Sequence, residues 1–158
     1  MSASIRMGFS FGLASGIITT LGLMIGLHSG THSKLAVIGG VLTIAMADAL
    51  SDAMGVHFSE EAEELHSAKE VWEATLITLI SKAAFASLFI VPLLLLKLST
   101  AIAVNVVLGL TTLSAFSFYL ARRRGIKAWK VVAEHLIIAI AVMVLAHQIG
   151  EWISATFA

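Results

Sequence analysis

The stretch LAVIGGVLTIAMADALSDAMGV, residues 35–56, decides the fold. About 20 apolar residues suffice to cross a bilayer, and this run is long enough. Asp48 and Asp52 nevertheless stand inside it. An ionisable group at the centre of a spanning helix costs about 2.5–3.5 kcal/mol on insertion scales, so such residues usually mark a path for ions or protons. Positions i and i+4 share one helix face, which puts both carboxylates on one stripe. Two carboxylates close together in a low dielectric do not both ionise cheaply unless a cation sits between them. A divalent cation that replaces protons there is the logic of an exchanger. Hard oxygen ligands suit Mg²⁺, Mn²⁺ and Ca²⁺ and admit Fe²⁺. The plainer reading is a structural ion pair with Lys82, or hydrogen bonds to hydroxyls of a neighbouring helix.

Composition extends the membrane reading to the whole chain. Of 158 residues 58% are hydrophobic and only 13% charged, with mean hydropathy +0.96. Soluble domains are about 45–50% apolar and about 25% charged. Five apolar runs are marked at 7–27, 35–56, 71–96, 100–121 and 131–157, the third broken by Pro92. The expected fold is all-α, a single five-span domain over residues 1–158 with a short acidic helical segment at 57–73. Arg6 before an apolar run has the outline of a signal peptide, but the run continues too far and no clear cleavage site follows, so it reads as a retained span. Cysteine is absent, which excludes disulfides and thiolate metal sites. Net charge is zero and no basic patch points to nucleic acid. No nucleophile–base set is recognisable, so an enzyme is not expected, nor a bound cofactor.

Basic residues set the expected topology. With the N-terminus inside, Arg6, Lys69, Arg122, Arg123, Arg124, Lys127 and Lys130 face the cytoplasm, and Lys34 and Lys97 face out. The positive-inside tendency then predicts a cell-membrane protein with its N-terminus cytoplasmic and its C-terminus outside. The arginine cluster reads as a topology anchor, compatible with anionic lipid contact. Lys82 lies too deep in the third run for easy snorkelling, so a partner carboxylate is expected.

The segment HFSEEAEELHSAKE, residues 57–70, is acidic and lacks Gly and Pro. It is expected to prolong the second span as a helix into the cytoplasm and to turn near Ser67. Asp48, Asp52, Ser59, Glu63, His66 and Glu70 would then form one polar face, flanked by His57, Glu60 and Glu64. On one reading Glu60, Glu63, Glu64, His66 and Glu70 collect cations; on the other they are a solvated helix with His66–Glu70 and Lys69–Glu73 pairs. His28 and His32 are read as interfacial, with Gly30 between them arguing for a loop. His147 with Glu151, and Glu134 with His135, are read as interfacial polar groups or proton relays. Glycines at GxxxG spacing, Gly8–Gly12–Gly16 and Gly22–Gly26, point to close helix packing and to dimerisation.

Two stretches carry a resemblance to a known family. GLASGIITTLGLMIG, residues 12–26, and ADALSDAMGVHFS, residues 47–59, resemble the first two spans of the vacuolar iron transporter family. Gly12, Gly16, Thr19, Thr20 and Gly26 match in the first, and Ala47, Ala49, Ser51, Ala53, Gly55 and Ser59 in the second. Pro92 and the HQIG of residues 147–150 resemble weaker features of the same pattern. The resemblance implies a five-span dimer that exchanges ferrous iron for protons along a path near its two-fold axis. The ligand set departs from the pattern: the family's first-span aspartate falls on Ser15, its second-span methionine on Asp52 and its glutamate on Val56. Asp48 stands where the family usually has glycine. Asp48 and Asp52 are therefore the expected transport site, with Ser15, Ser51 and Ser59 as secondary ligands, for Fe²⁺ or Mn²⁺ driven by proton exchange in a homodimer. The rivals are a non-transporting sensor or assembly module with structural Asp–Lys contacts, and a carrier of organic cations. The latter would favour an aromatic-lined cavity, whereas Trp72, Trp129 and Trp152 lie near predicted interfaces.

Overall fold

In the computed structural model, which describes residues 2–63 and 66–157, the described residues form helices and short connections with no strand. Five helical stretches are long and apolar enough to cross a membrane. The first is α1 (Ala3–Thr31). The second joins α2 (Lys34–Thr43), a π-helical turn (Ile44–Asp48) and α3 (Ala49–Ala62). The third joins α4 (Ala68–Leu88) and α5 (Ile90–Leu95). The fourth is α6 (Leu98–Arg123) and the fifth α7 (Ala128–Phe157).

Local chemistry explains the ends. Ser2, Ser33 and Ser67 each N-cap a helix with the side-chain oxygen, accepting from Ile5, Ala36 and Glu70 amides. Ser67 and Glu70 complete a reciprocal capping box. α1 ends where His32 takes a left-handed conformation, φ 51°. Pro92 supplies no amide to the carbonyl of Leu88, and the third span breaks at Phe89. The fully buried Asn105 of α6 donates from Nδ2 to the Phe89 carbonyl at 2.9 Å, satisfying backbone at the break.

α1 is the central post, packed mainly against α4 and α7. Its glycines make that contact close. A Cβ on Gly12 would overlap Ser81 Oγ and sit 2.7 Å from the Thr78 carbonyl; one on Gly22 would sit 2.7 Å from Val142, and one on Gly26 3.2 Å from the Ala146 carbonyl. The GxxxG series of α1 therefore packs within the chain, against α4 through Gly8, Gly12 and Gly16 and against α7 through Gly22 and Gly26. Gly30 does not make a loop: it is helical, and a Cβ there would sit 3.4 Å from Gly150 Cα of α7, continuing the contact of Gly22 and Gly26. Leu13, Ile17, Leu21 and Met24 of α1 bury against Val37, Val41, Phe89, Leu93 and Leu113. Around this core large apolar side chains are exposed on every outer helix, among them Leu35 at 79%, Leu95 at 77% and Ile137 at 67%. Water-soluble proteins rarely expose such contiguous surface. The chain is an integral membrane protein of all-α, five-span architecture.

The acidic segment prolongs the second span and turns near Ser67 as expected, but the helix stops short of His66 and Glu70, so the stripe is not one continuous helical face. α3 ends at Ala62, and the capping box at Ser67 starts the next helix. Glu70 thereby bonds Ser67 and belongs to the next helix, not to that of Asp48 and Asp52. His66 meets Glu60, 3.0 Å from Nδ1 to Oε2, rather than Glu70. The Lys69–Glu73 pair forms as expected, at 3.8 Å. Glu64 lies outside the described residues.

Candidate functional site

Lys82 is the most deeply buried charge among the described residues, 1% exposed, halfway along the third span. Asp48 is at the middle of the second span and Asp52 one turn further. Lys82 Nζ lies 2.5 Å from Oδ2 of Asp48 and 2.5 Å from Oδ2 of Asp52. The contact to Asp52 has hydrogen-bond geometry; Asp48 Oδ2 makes a close ion pair without that alignment. Ser15 Oγ, midway along α1, donates to Asp52 Oδ2 at 2.6 Å. Three spanning helices thus meet at one polar cluster. Asp52 satisfies both plain expectations, a lysine partner and a hydroxyl partner, through one oxygen.

The π-helical turn ends on Asp48. Its i→i+5 pattern, with the Ala49 amide reaching Ile44, widens the turn just before the first carboxylate. Single π turns inside α-helices often occur at functional sites because they rotate one side chain relative to the α-helical register. Nothing in the composition of IAMAD marks this turn, which is why the sequence reading missed it.

The carboxylates are not sealed. Their side chains are 33% and 23% exposed for Asp48 and Asp52, while the ammonium between them is not. One residue earlier on the helix, a column of small side chains is exposed: Gly39, Thr43, Ala47, Ser51, Gly55 and Ser59, each four residues apart. Leu35, Leu42, Met46, Leu50, Met54 and Phe58 flank it, also exposed. A Cβ on Gly39 or Gly55 would touch nothing. Ser51 and Ser59 belong to this outer column and do not join the hydrogen-bonded cluster around Lys82.

At the end of the bundle where α3 stops, a second polar group forms. His57 Nδ1 lies 3.0 Å from Thr75 Oγ1 and its Nε2 4.0 Å from Glu61; its ring packs edge-on against Trp72 at 4.7 Å. Glu60 is nearly buried beside His66. Glu63 caps the end of α3 and is exposed. Among the described residues no three His, Asp or Glu side chains are grouped to hold one metal ion. Two further histidines bond between helices: His147 Nδ1 meets Ser29 Oγ at 2.5 Å, and His135 Nδ1 meets Ser117 Oγ at 2.6 Å. His28 and His32 stack edge to face at 5.6 Å.

Comparison with family models, with curated proteins and with solved structures finds no match to this chain.

Proposed function

We propose that the protein is a carrier for divalent transition-metal cations of the Fe²⁺ or Mn²⁺ type, exchanging metal for protons, with Asp48, Asp52 and Lys82 as its exchange centre. The observation that carries this reading is the lysine ammonium 2.5 Å from both carboxylates at mid-depth. It occupies the place a cation would take. With both aspartates ionised and the lysine protonated, the cluster bears one negative charge. A divalent cation that binds the two carboxylates displaces the ammonium; if Lys82 loses its proton on leaving, the occupied cluster is neutral. Metal arrival and proton release are then one step. Low dielectric favours that neutral state over any with unpaired charge.

Two carboxylates and a hydroxyl are fewer ligands than the roughly six oxygens or nitrogens of an octahedral divalent site. A homodimer with the small-residue column of the second span at its seam would bring four carboxylates towards one axis. Column and carboxylates are adjacent on the same helix, and small residues let helices approach closely. The resemblance of the first two spans to vacuolar iron transporters supports the same arrangement, with Ser15 at the position of that family's aspartate. The basic residues favour a cytoplasmic N-terminus in a cell membrane.

The test is Fe²⁺ and Mn²⁺ flux into proteoliposomes with internal pH recorded. Wild type should move metal with opposite proton flow. Asp52→Asn keeps the shape of the side chain but removes the charge, so flux should vanish while the protein stays folded. Normal transport by that variant would put the site elsewhere. A second reading, a non-transporting sensor or assembly module, draws on the same buried ion pairs, because they also lock three helices together. No flux in the wild type would select it.

A further inference from the structure

A cleft of about 400 Å³ opens between α1 and α6, at the end of the bundle where α1 begins and α6 finishes. That volume falls in the ~300–1,000 Å³ range of small-ligand sites. Arg6, Arg123 and Arg124 line it together with Phe9, Phe116 and Tyr119, and no acidic residue does so among the described residues. The aromatic wall is one packed unit, with Phe9 on Phe116 at 5.8 Å and Phe116 on Tyr119 at 6.4 Å between ring centroids. Arg123 Nη1 donates to the Tyr119 hydroxyl at 3.3 Å, which steadies that guanidinium at the wall. Arg122, from the same run, lies instead over the Phe118 ring at 5.9 Å and does not line the cleft. The adjoining hollow shares Arg124 but also contains Glu134, so its charge is mixed.

Guanidinium groups present forked N–H donors that match phosphate oxygens. Arg123 and Arg124 beside an aromatic wall suit a phosphate attached to something apolar. The ends of spanning helices lie at the depth of lipid headgroups, and basic pockets between such helices take anionic ones. We propose that this cleft binds the headgroup phosphate of an anionic phospholipid, the acyl chains lying along the apolar flanks of α1 and α6. Topology anchoring alone would treat the whole arginine run alike. The cleft instead separates Arg123 and Arg124 from Arg122.

The experiment is native mass spectrometry of the full chain released from membranes of mixed phosphatidylglycerol and phosphatidylcholine. The wild type should retain phosphatidylglycerol preferentially. Arg123→Gln with Arg124→Gln should lower that retention at least tenfold, and Arg122→Gln should leave it unchanged. If the double variant does not fold, the two single variants carry the same test, each with a severalfold loss. Equal retention of both lipids by the wild type, or equal loss in Arg122→Gln, would overturn the proposal. So would millimolar inorganic phosphate binding at the cleft with no lipid retained, because the site would then take free phosphate. None of these outcomes depends on metal transport.

Discussion

Lys82 Nζ has two carboxylates at 2.5 Å and almost no contact with the surroundings of the bundle. Replacing it with Met leaves two carboxylates facing each other without a counter-charge. Breaking a fully buried pair costs about 3–5 kcal/mol. Because the aspartates are partly exposed, about 2–3 kcal/mol is expected here. Adding Asp52→Asn to Lys82→Met should restore part of the loss, since the amide needs no cation. Thermal unfolding of the four proteins in one detergent measures the coupling, and strictly additive losses would remove it. Charge type and depth made Asp48, Asp52 and Lys82 legible in the sequence. Ser15 is legible as a hydroxyl on the glycine-rich first span and through its position in the family pattern. Its bond to Asp52 depends on how α1 crosses the second span, and that crossing is written in no single segment.

The helices differ in what their glycines do. Gly12 faces backbone of α4, so Gly12→Ala forces α1 and α4 apart, with a loss of about 2 kcal/mol or more of stability. Gly39→Ala and Gly55→Ala meet open space, and Ala has the better helix propensity by about 1 kcal/mol. Those two variants should therefore keep or slightly raise the stability of the isolated protomer, measured in the same unfolding assay. Spacing alone does not tell these cases apart, because GxxxG records only that a face is small. The acidic segment teaches the opposite lesson. Its composition favours helix throughout, yet Ser67 and Glu70 form a capping box that starts a new helix and takes Glu70 out of the stripe. Glu63 is exposed at the end of α3, with Glu60 buried beside His66, and the sequence adds Glu64 to the same acidic run. Changing all three to Gln removes a field that concentrates cations while the Asp48–Lys82–Asp52 cluster stays intact. The expected result is a higher half-saturating metal concentration with nearly unchanged maximal flux. Higher ionic strength should weaken the wild type in the same sense, since exposed charges are screened within ~8–10 Å at ~0.1–0.15 M salt. A collapse of maximal flux would make these glutamates part of the transport step.

For the assembled protein, the second span presents an uncovered column of small side chains beside its carboxylates. If two copies meet there, a large residue in the column should separate them without disturbing the protomer. Gly39→Leu and Ser51→Leu are therefore expected to shift the protein from dimer to monomer in light-scattering measurements, with unfolding temperatures close to wild type. Flux should fall with dimer content, because the carboxylates of both copies would share one site. A protein that stays dimeric with both substitutions places its interface on another face.

Hydrophobic run length and the rarity of charges determined the five spans without any tertiary information, because lipid imposes one requirement on every crossing segment: internal backbone hydrogen bonds under an apolar surface. Burial cost likewise singled out the intramembrane acids and lysine. Other features needed the folded chain. The π turn before Asp48, the split roles of the α1 and second-span glycines, and the separation of Ser51 and Ser59 from the cluster follow from which helix faces which neighbour. Helical periodicity records that a face is small or polar, while the identity of its partner is set by the joint packing of all five helices.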